Sequence, residues 1–252
     1  MTANPPERHC ALVTGASRGI GRAVSVALGQ DGYDVIVHYN QNREAAEETA
    51  ALTIAAGARA WAVASDLRSG TAPADLMRDA LAASGRLDIL VNNAAALWHG
   101  EPDRMLPTDM SDLFAVNCVA PFRLMAEASK ALPDGGRIIN ISSDAARLPR
   151  PLIAAYAASK AAIESLTLSF AEWLGERGIT VNAIAPGPVR TEMMEPWLSD
   201  KTMEESLKRA SAQGRIAIPG DIVPIVLFLS RRESGWINGQ TIEATGGRVA
   251  AW

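Results

Sequence analysis

The sequence predicts an α/β fold: a doubly wound parallel sheet of about seven strands with helices on both faces, in three layers. Three observations predict it. Short β-rich runs alternate with longer helical patterns along the whole chain. The β-rich runs are continuously apolar, as a parallel sheet covered on both faces requires. The chemically distinctive segments fall just after predicted strands, where such a sheet binds its ligands.

Residues 10–14 read as the first strand and 20–30 as the first helix. The second strand is DVIVHY at 34–39, followed by an Ala/Glu-rich helix over 43–56 that Gly57 stops. A third strand at 59–64 and a third helix at 72–83 follow, then LDILVN, the fourth strand, ending at residue 92. One long helix is expected over 109–132, ended by Pro133-Asp134-Gly135-Gly136. RIINI at 137–141 is the fifth strand, 154–176 a second long helix and 180–184 the sixth strand. The stretch 185–220 is punctuated by Pro and Gly, with one helix near 201–212. Residues 222–229 read as helix and 241–243 as a last short strand. No repeat, low-complexity tract or linker interrupts the pattern, so residues 1–252 are expected to form a single domain.

Composition narrows the function classes. Hydrophobic residues make up 48% and charged residues 21% of the 252, which excludes a mostly disordered chain. The net charge is −4 and no Lys/Arg run occurs, which argues against binding nucleic acid or an anionic membrane. Cys10 and Cys118 sit in apolar contexts and read as core residues rather than a disulfide. His9, His38 and His99 have no metal-ligand spacing. MTANPPERHC lacks the apolar stretch of a signal peptide, and no run approaches a membrane span, so a soluble, cytoplasmic protein is expected.

The first strand-to-helix junction is Thr14-Gly15-Ala16-Ser17-Arg18-Gly19-Ile20-Gly21. Glycines allow positive φ and close approach of backbone to a ligand. The helix behind them offers free N–H groups and the positive end of its dipole, which suits a pyrophosphate. The spacing is G-x-x-x-G-x-G, and its position at the first β-α unit points to a dinucleotide. After the second strand stand Asn40, Gln41, Asn42 and Arg43, with no carboxylate to repel a 2′-phosphate. Arg18 and Arg43 can pair with that phosphate, which predicts NADP(H) over NAD(H).

Tyr156-Ala-Ala-Ser-Lys160 opens a long helix, and a spacing of four places both side chains on one face. A phenol is a poor acid-base group unless its surroundings shift it, and an ammonium nearby favours the phenolate. Ser143 follows the fifth strand and can hold a substrate oxygen. Asn117 is a polar insertion in an apolar helix; its buried amide needs partners, which a water connected to Lys160 can supply. Each of these alone has a bland reading: a surface Tyr-Lys pair, a turn serine, a structural Asn. Together with a phosphate loop they do not.

With these residues the chain resembles the short-chain dehydrogenase/reductases of single-domain, Rossmann-like type, ketoacyl-carrier-protein-reductase-like ketoreductases in particular. The resemblance covers roughly residues 9 to 247 and rests on TGASRGIG at 14–21, Asp66-Leu67, NNAA at 92–95, Asn117, Ser143, Tyr156 with Lys160, and PGPVRT at 186–191. HYNQN at 38–42 with Arg18 is most similar to the NADPH-preferring members. The resemblance implies that Tyr156 is the general acid for a carbonyl and that Lys160 binds the nicotinamide ribose and lowers the Tyr156 pKa. Ser143 then orients the carbonyl and Asn117 anchors a water of the proton relay. Asp66 and Leu67 would flank the adenine, with Asn93, Ala94 and Ala95 along the adenosine-ribose side. Pro186, Gly187, Val189 and Thr191 would line the carboxamide and pyrophosphate. Gly15, Ser17, Arg18, Gly19, Ile20, Gly21, Asn40 and Asn42 complete the expected cofactor set. Homotetramers through the two long helices are common in the family.

Three departures stand out. Ala95 replaces the usual Gly and would be strained if that position needs positive φ. The C-terminal motif reads Ala-Thr-Gly-Gly at 244–247, and Asp144 follows the Ser pair. Met193, Met194, Trp197 and Leu198, with Trp98 and His99, predict a bulky apolar or aromatic substrate under a lid of about 187–219. Trp252 is a candidate for packing on a neighbouring subunit. The expected activity is NADPH-dependent reduction of a ketone to a secondary alcohol. The alternatives are an NAD(P)-dependent alcohol, steroid or polyol dehydrogenase acting in oxidation, and a non-catalytic NADP(H)-sensing module. An enoyl reductase is less expected, since related ones space their Tyr and Lys more widely.

Overall fold

The computed structural model describes residues 8–247; the N-terminal residues read for a signal peptide and Trp252 lie mostly or wholly outside that range. Seven parallel strands form one sheet in the order β3-β2-β1-β4-β5-β6-β7. They are β1 (Cys10–Val13), β2 (Asp34–Tyr39), β3 (Ala60–Ala64), β4 (Ile89–Asn92), β5 (Arg137–Ile141), β6 (Thr180–Pro186) and β7 (Thr241–Ala244). Chain order reverses between β1 and β4, which pair Ala11 with Ile89 and Val13 with Val91. A crevice opens there beyond the carboxyl ends of the strands.

Alternate strand residues serve opposite layers. Cys10, Leu12, Ile36, Leu90 and Ile138 face one core, closed by α3 (Ala72–Ser84), α5 (Ala120–Ala131) and α6 (Ala154–Leu174). Ala11, Val13, Val35, Val37, Val91 and Ile139 face the other. That layer is closed by α1 (Gly19–Gln30), α2 (Arg43–Ala55) and α9 (Pro219–Ser230). Both sides of each inner strand are buried, which is why these strands lack a polar alternation.

The main departure from expectation lies in the fourth helical region. The helix expected over 109–132 begins earlier, as α4 (Pro107–Phe114), and widens into a π segment (Ala115–Val119) before α5. Ala120 N–H donates to the Ala115 carbonyl five residues back. The physical reason is in the sequence: Pro121 has no N–H to give to the carbonyl of Asn117 four residues earlier. The stretch after β6 holds two helices, α7 (Glu195–Leu198) and the expected α8 (Lys201–Arg209), which ends earlier than foreseen. Val189 bridges Ala217 and pins this stretch at both ends.

Candidate active site

The glycine turn after β1 is built by its neighbours. Gly15 and Gly19 have φ of 62° and 55°, and a Cβ on Gly15 would lie 2.8 Å from the Ala94 Cα. Thr14 Oγ1 accepts from the N–H groups of Asn93 (2.9 Å) and Ala94 (3.0 Å). The Asn93 amide donates to the carbonyls of Thr14 (2.8 Å) and Gly15 (3.0 Å). Asn93 therefore braces the turn. Arg22 donates to the Ser17 carbonyl (2.9 Å) and to Glu48 (2.7 Å), which secures the turn to α2. No side chain caps α1, and its first turn carries no acidic residue, so the helix end is left open to an anion.

One cleft of about 960 Å³ runs from this turn past Asn40 and Asp66 to Ser143, Tyr156 and Lys160. Almost every expected residue lines it: Gly15, Ser17, Arg18, Gly19, Ile20, Asn40, Asn42, Asp66, Leu67, Asn93, Ala94, Ala95, Pro186, Gly187, Val189 and Thr191. Gly21 does not. Its place is a packing one, since a Cβ there would come within 2.6 Å of the Asn93 amide. Arg43 is also outside the cleft and pairs with Glu47 at 2.7 Å on the surface. That leaves Arg18, exposed and with no side-chain hydrogen bond or ion pair among the described residues, as the loop's arginine for a 2′-phosphate. Asn42 caps α2 by accepting from Ala45 N–H (3.0 Å). Asp66 is held by Arg68 at 2.6 Å, which keeps its carboxyl below the usual range. Ala95 carries no strain, because no residue other than glycine has positive φ among those described.

At the far end, Ser143 caps the turn after β5 by accepting from Ala145 N–H (3.2 Å) and lies beside the Tyr156 phenol closely enough to favour its ionised form. Burial pushes that phenol up to about 12; the Ser143 contact opposes the shift and the Asp144 carboxylate adds to it. Lys160 donates to the Ile141 carbonyl (2.8 Å), and its Nζ lies 5.7 Å from the Tyr156 ring centroid. Burial brings its pKa down to about 8. Desolvation is the largest influence on the Tyr156 phenol in the structure and favours its protonated form. The Asn117 Oδ1 accepts from Ala96 N–H (2.7 Å), while Nδ2 donates to the Ala96 carbonyl (2.9 Å) and Ser159 Oγ (3.0 Å). These protein groups satisfy the amide.

The substrate end is walled by residues the sequence indicated and by others it did not. His99 and Trp197 pack edge to face at 5.2 Å, and Met193 and Met194 line the same space. Leu198 is buried in packing, and Trp98 folds against Gly100 instead of lining the cleft. Leu97, Val116, Leu152, Ile153, Met203 and Leu207 add apolar wall that carried no motif. Gly100 N–H donates to the Leu152 carbonyl (2.9 Å), so the loops after β4 and before α6 close on each other. His38, unassigned by spacing, contacts the glycine turn directly: Gly15 N–H donates to its Nδ1 (3.1 Å).

An open glycine turn, an unpaired arginine beside it and a long cleft ending at a phenol and an ammonium fit a phosphorylated dinucleotide. Comparison with known proteins agrees. Residues 15–248 match the family model described as enoyl-(acyl carrier protein) reductase. The chain is 38% identical over 251 residues to a hydroxynaphthalene reductase-like protein of Metarhizium guizhouense, covering 95% of this chain and 94% of that one. It is 36% identical over 248 residues to versicolorin reductase 1 of Aspergillus parasiticus, covering 94% and 95%. The angucycline C-6 ketoreductase LanV, solved with NADP, superposes with a TM-score of 0.89 at 39% identity over 95% of each chain. It has also been solved with NADP and rabelomycin. The family model spans most of the chain and these relatives match along nearly their full length, and the chain therefore belongs to the short-chain dehydrogenase/reductase family.

Proposed function

We propose that this chain reduces a ketone on a bulky, fused-ring aromatic substrate to a secondary alcohol with NADPH. Bound in the cleft, NADPH supplies the hydride. Tyr156 gives its phenolic proton to the carbonyl oxygen, and its raised pKa keeps that proton in place at neutral pH. Ser143 Oγ donates a hydrogen bond to the same oxygen and orients the carbonyl. Lys160, with a pKa near 8, is the neighbouring group able to return a proton at close to neutral pH. Asn117 is a positioning residue: its amide locks Ala96 and Ser159 beside Tyr156.

The observation that carries this reading is the single cleft joining the unpaired Arg18 to Tyr156 and then to the His99–Trp197 and methionine wall. Flat aromatic rings suit such a wall better than a sugar does. The segment of about 187–219 acts as the lid over that end. The relatives named for hydroxynaphthalene, versicolorin and angucycline reduction support the substrate class. Assembly as a homotetramer through α5 and α6 belongs to the same reading. Phe122, Leu168 and Trp173 stand 46%, 61% and 61% exposed there, and Phe122, Phe170 and Trp173 form a ladder of edge contacts. Cytoplasmic placement is supported by two free thiols, Cys10 and Cys118; no helix among the described residues is long and apolar enough to cross a membrane.

The test is NADPH consumption with a panel of fused-ring hydroxyketones, small ketones and β-ketoacyl thioesters. Turnover is expected on the fused-ring ketones, with NADPH preferred to NADH. Binding of NADPH without turnover of any ketone would overturn the reading.

A further inference from the structure

His38 ends the buried part of β2, and its surroundings leave its ring one arrangement. The side chain is enclosed at 2% exposure. Its Nε2 lies 3.0 Å from the Ser65 carbonyl, which can only accept, so Nε2 carries the proton. Nδ1 is then bare, and it accepts from Gly15 N–H at 3.1 Å. The His38 backbone adds a third link, its carbonyl accepting from Ala16 N–H at 2.8 Å. Burial brings the ring's pKa down to about 4, so it stays neutral through the physiological range.

The two ends of this ring reach two different parts of the cleft. Gly15 is the first turn residue, held at positive φ and wedged so closely on its other side that a Cβ would meet Ala94 at 2.8 Å. Ser65 leads directly into Asp66 and Leu67, which line the cleft beyond β3. The imidazole thus spans from the turn after β1 to the segment after β3, across the strand between them. An apolar residue here would leave both the Gly15 N–H and the Ser65 carbonyl without these partners. The Gly15 N–H is the more consequential of the two, because its direction sets the plane of the peptide that opens the phosphate turn.

We propose that His38 is a positioning residue for the dinucleotide: its bare Nδ1 fixes the Gly15 peptide so that the turn is preformed for a pyrophosphate. This rests on the reading that the cleft takes NADPH. Preforming a binding turn shows in affinity, because the ordering cost is met before the ligand arrives. It leaves the chemistry at Tyr156 untouched.

The two ring nitrogens can be separated by substitution. His38→Asn places an amide oxygen near the Nδ1 position and keeps an acceptor for Gly15. His38→Gln places an amide nitrogen near the Nε2 position and keeps a donor for Ser65. His38→Leu removes both. NADPH dissociation constants from quenching of tryptophan fluorescence, kcat with a ketone substrate and urea midpoints are measured for all of them. His38→Asn is expected to bind NADPH within about 3-fold of the wild type, and His38→Gln to bind about 10-fold more weakly with kcat within about 2-fold. His38→Leu is expected to behave as His38→Gln does, and if it does not fold, the Asn and Gln pair decides. Wild-type affinity in His38→Gln, or weakened binding in His38→Asn alone, would overturn the proposal. So would losses of affinity that simply follow the urea midpoints. A wild-type chain that fails to bind NADPH would instead fail the functional reading itself.

Discussion

Replacing Asn117 with Ala removes three hydrogen bonds at a site 1% exposed to solvent. Ser159 Oγ retains its bond to the Tyr156 carbonyl at 2.7 Å, so it is not orphaned. The groups left without partners are the Ala96 N–H and carbonyl. An unpaired buried polar group costs about 1–3 kcal/mol, and half-buried Ala96 admits some water, which together give about 3 kcal/mol of lost stability for Asn117→Ala. Urea unfolding followed by circular dichroism measures it: the midpoint should fall with the slope unchanged. Ketone turnover should fall as well, since Ser159 is three residues from Tyr156 on α6, while NADPH affinity changes little. An unchanged urea midpoint would refute the claim that this amide, rather than helix propensity or the π segment itself, ties α6 to the loop after β4.

Arg18→Gln should raise the KM for NADPH about 10-fold or more and leave that for NADH nearly unchanged; equal shifts for both would show that Arg18 does not read the 2′-phosphate. Trp197→Ala should lower kcat/KM about 10-fold on a fused-ring ketone and much less on a small ketone, with indifference to ring size counting against the aromatic wall. His38 titrates at about 4 in the fold against an ordinary 6.5, so the unfolded chain takes up the proton first as pH falls. Its contribution to stability is therefore full above about pH 6.5 and is lost as pH falls towards 4, to the extent of about 3 kcal/mol. Urea midpoints at pH 7 and about pH 4.5 should differ more in the wild type than in His38→Asn, and equal differences would contradict the assignment.

The sheet was legible because its signal is redundant. Val35 and Val37 turn to one core while Ile36 turns to the other, so the middle of an inner strand reads as a near-continuous apolar run and stands out. The Ser-Tyr-Lys cluster and glycine turn were legible because their spacing is short and local. The electrostatics were not. A spacing of four places Lys160 near Tyr156 but says nothing of how deeply both are buried, and burial is the largest influence on the phenol. The π segment carried a signal in Pro121 that helical periodicity masks. His38 and Asn117 find their partners 27 and 21 residues away, at Ser65 and Ala96, and no local pattern records those contacts. Arg43 read like Arg18, yet helix geometry gave it to Glu47 four residues on.

The central claim is that the Tyr156 phenol supplies the proton for a carbonyl reduced in the cleft. Tyr156→Phe removes one oxygen and keeps the ring. Single-turnover loss of NADPH absorbance with a fused-ring ketone should slow by about 100-fold or more in this variant, with NADPH affinity as in the wild type. Near-native turnover in Tyr156→Phe would contradict the account.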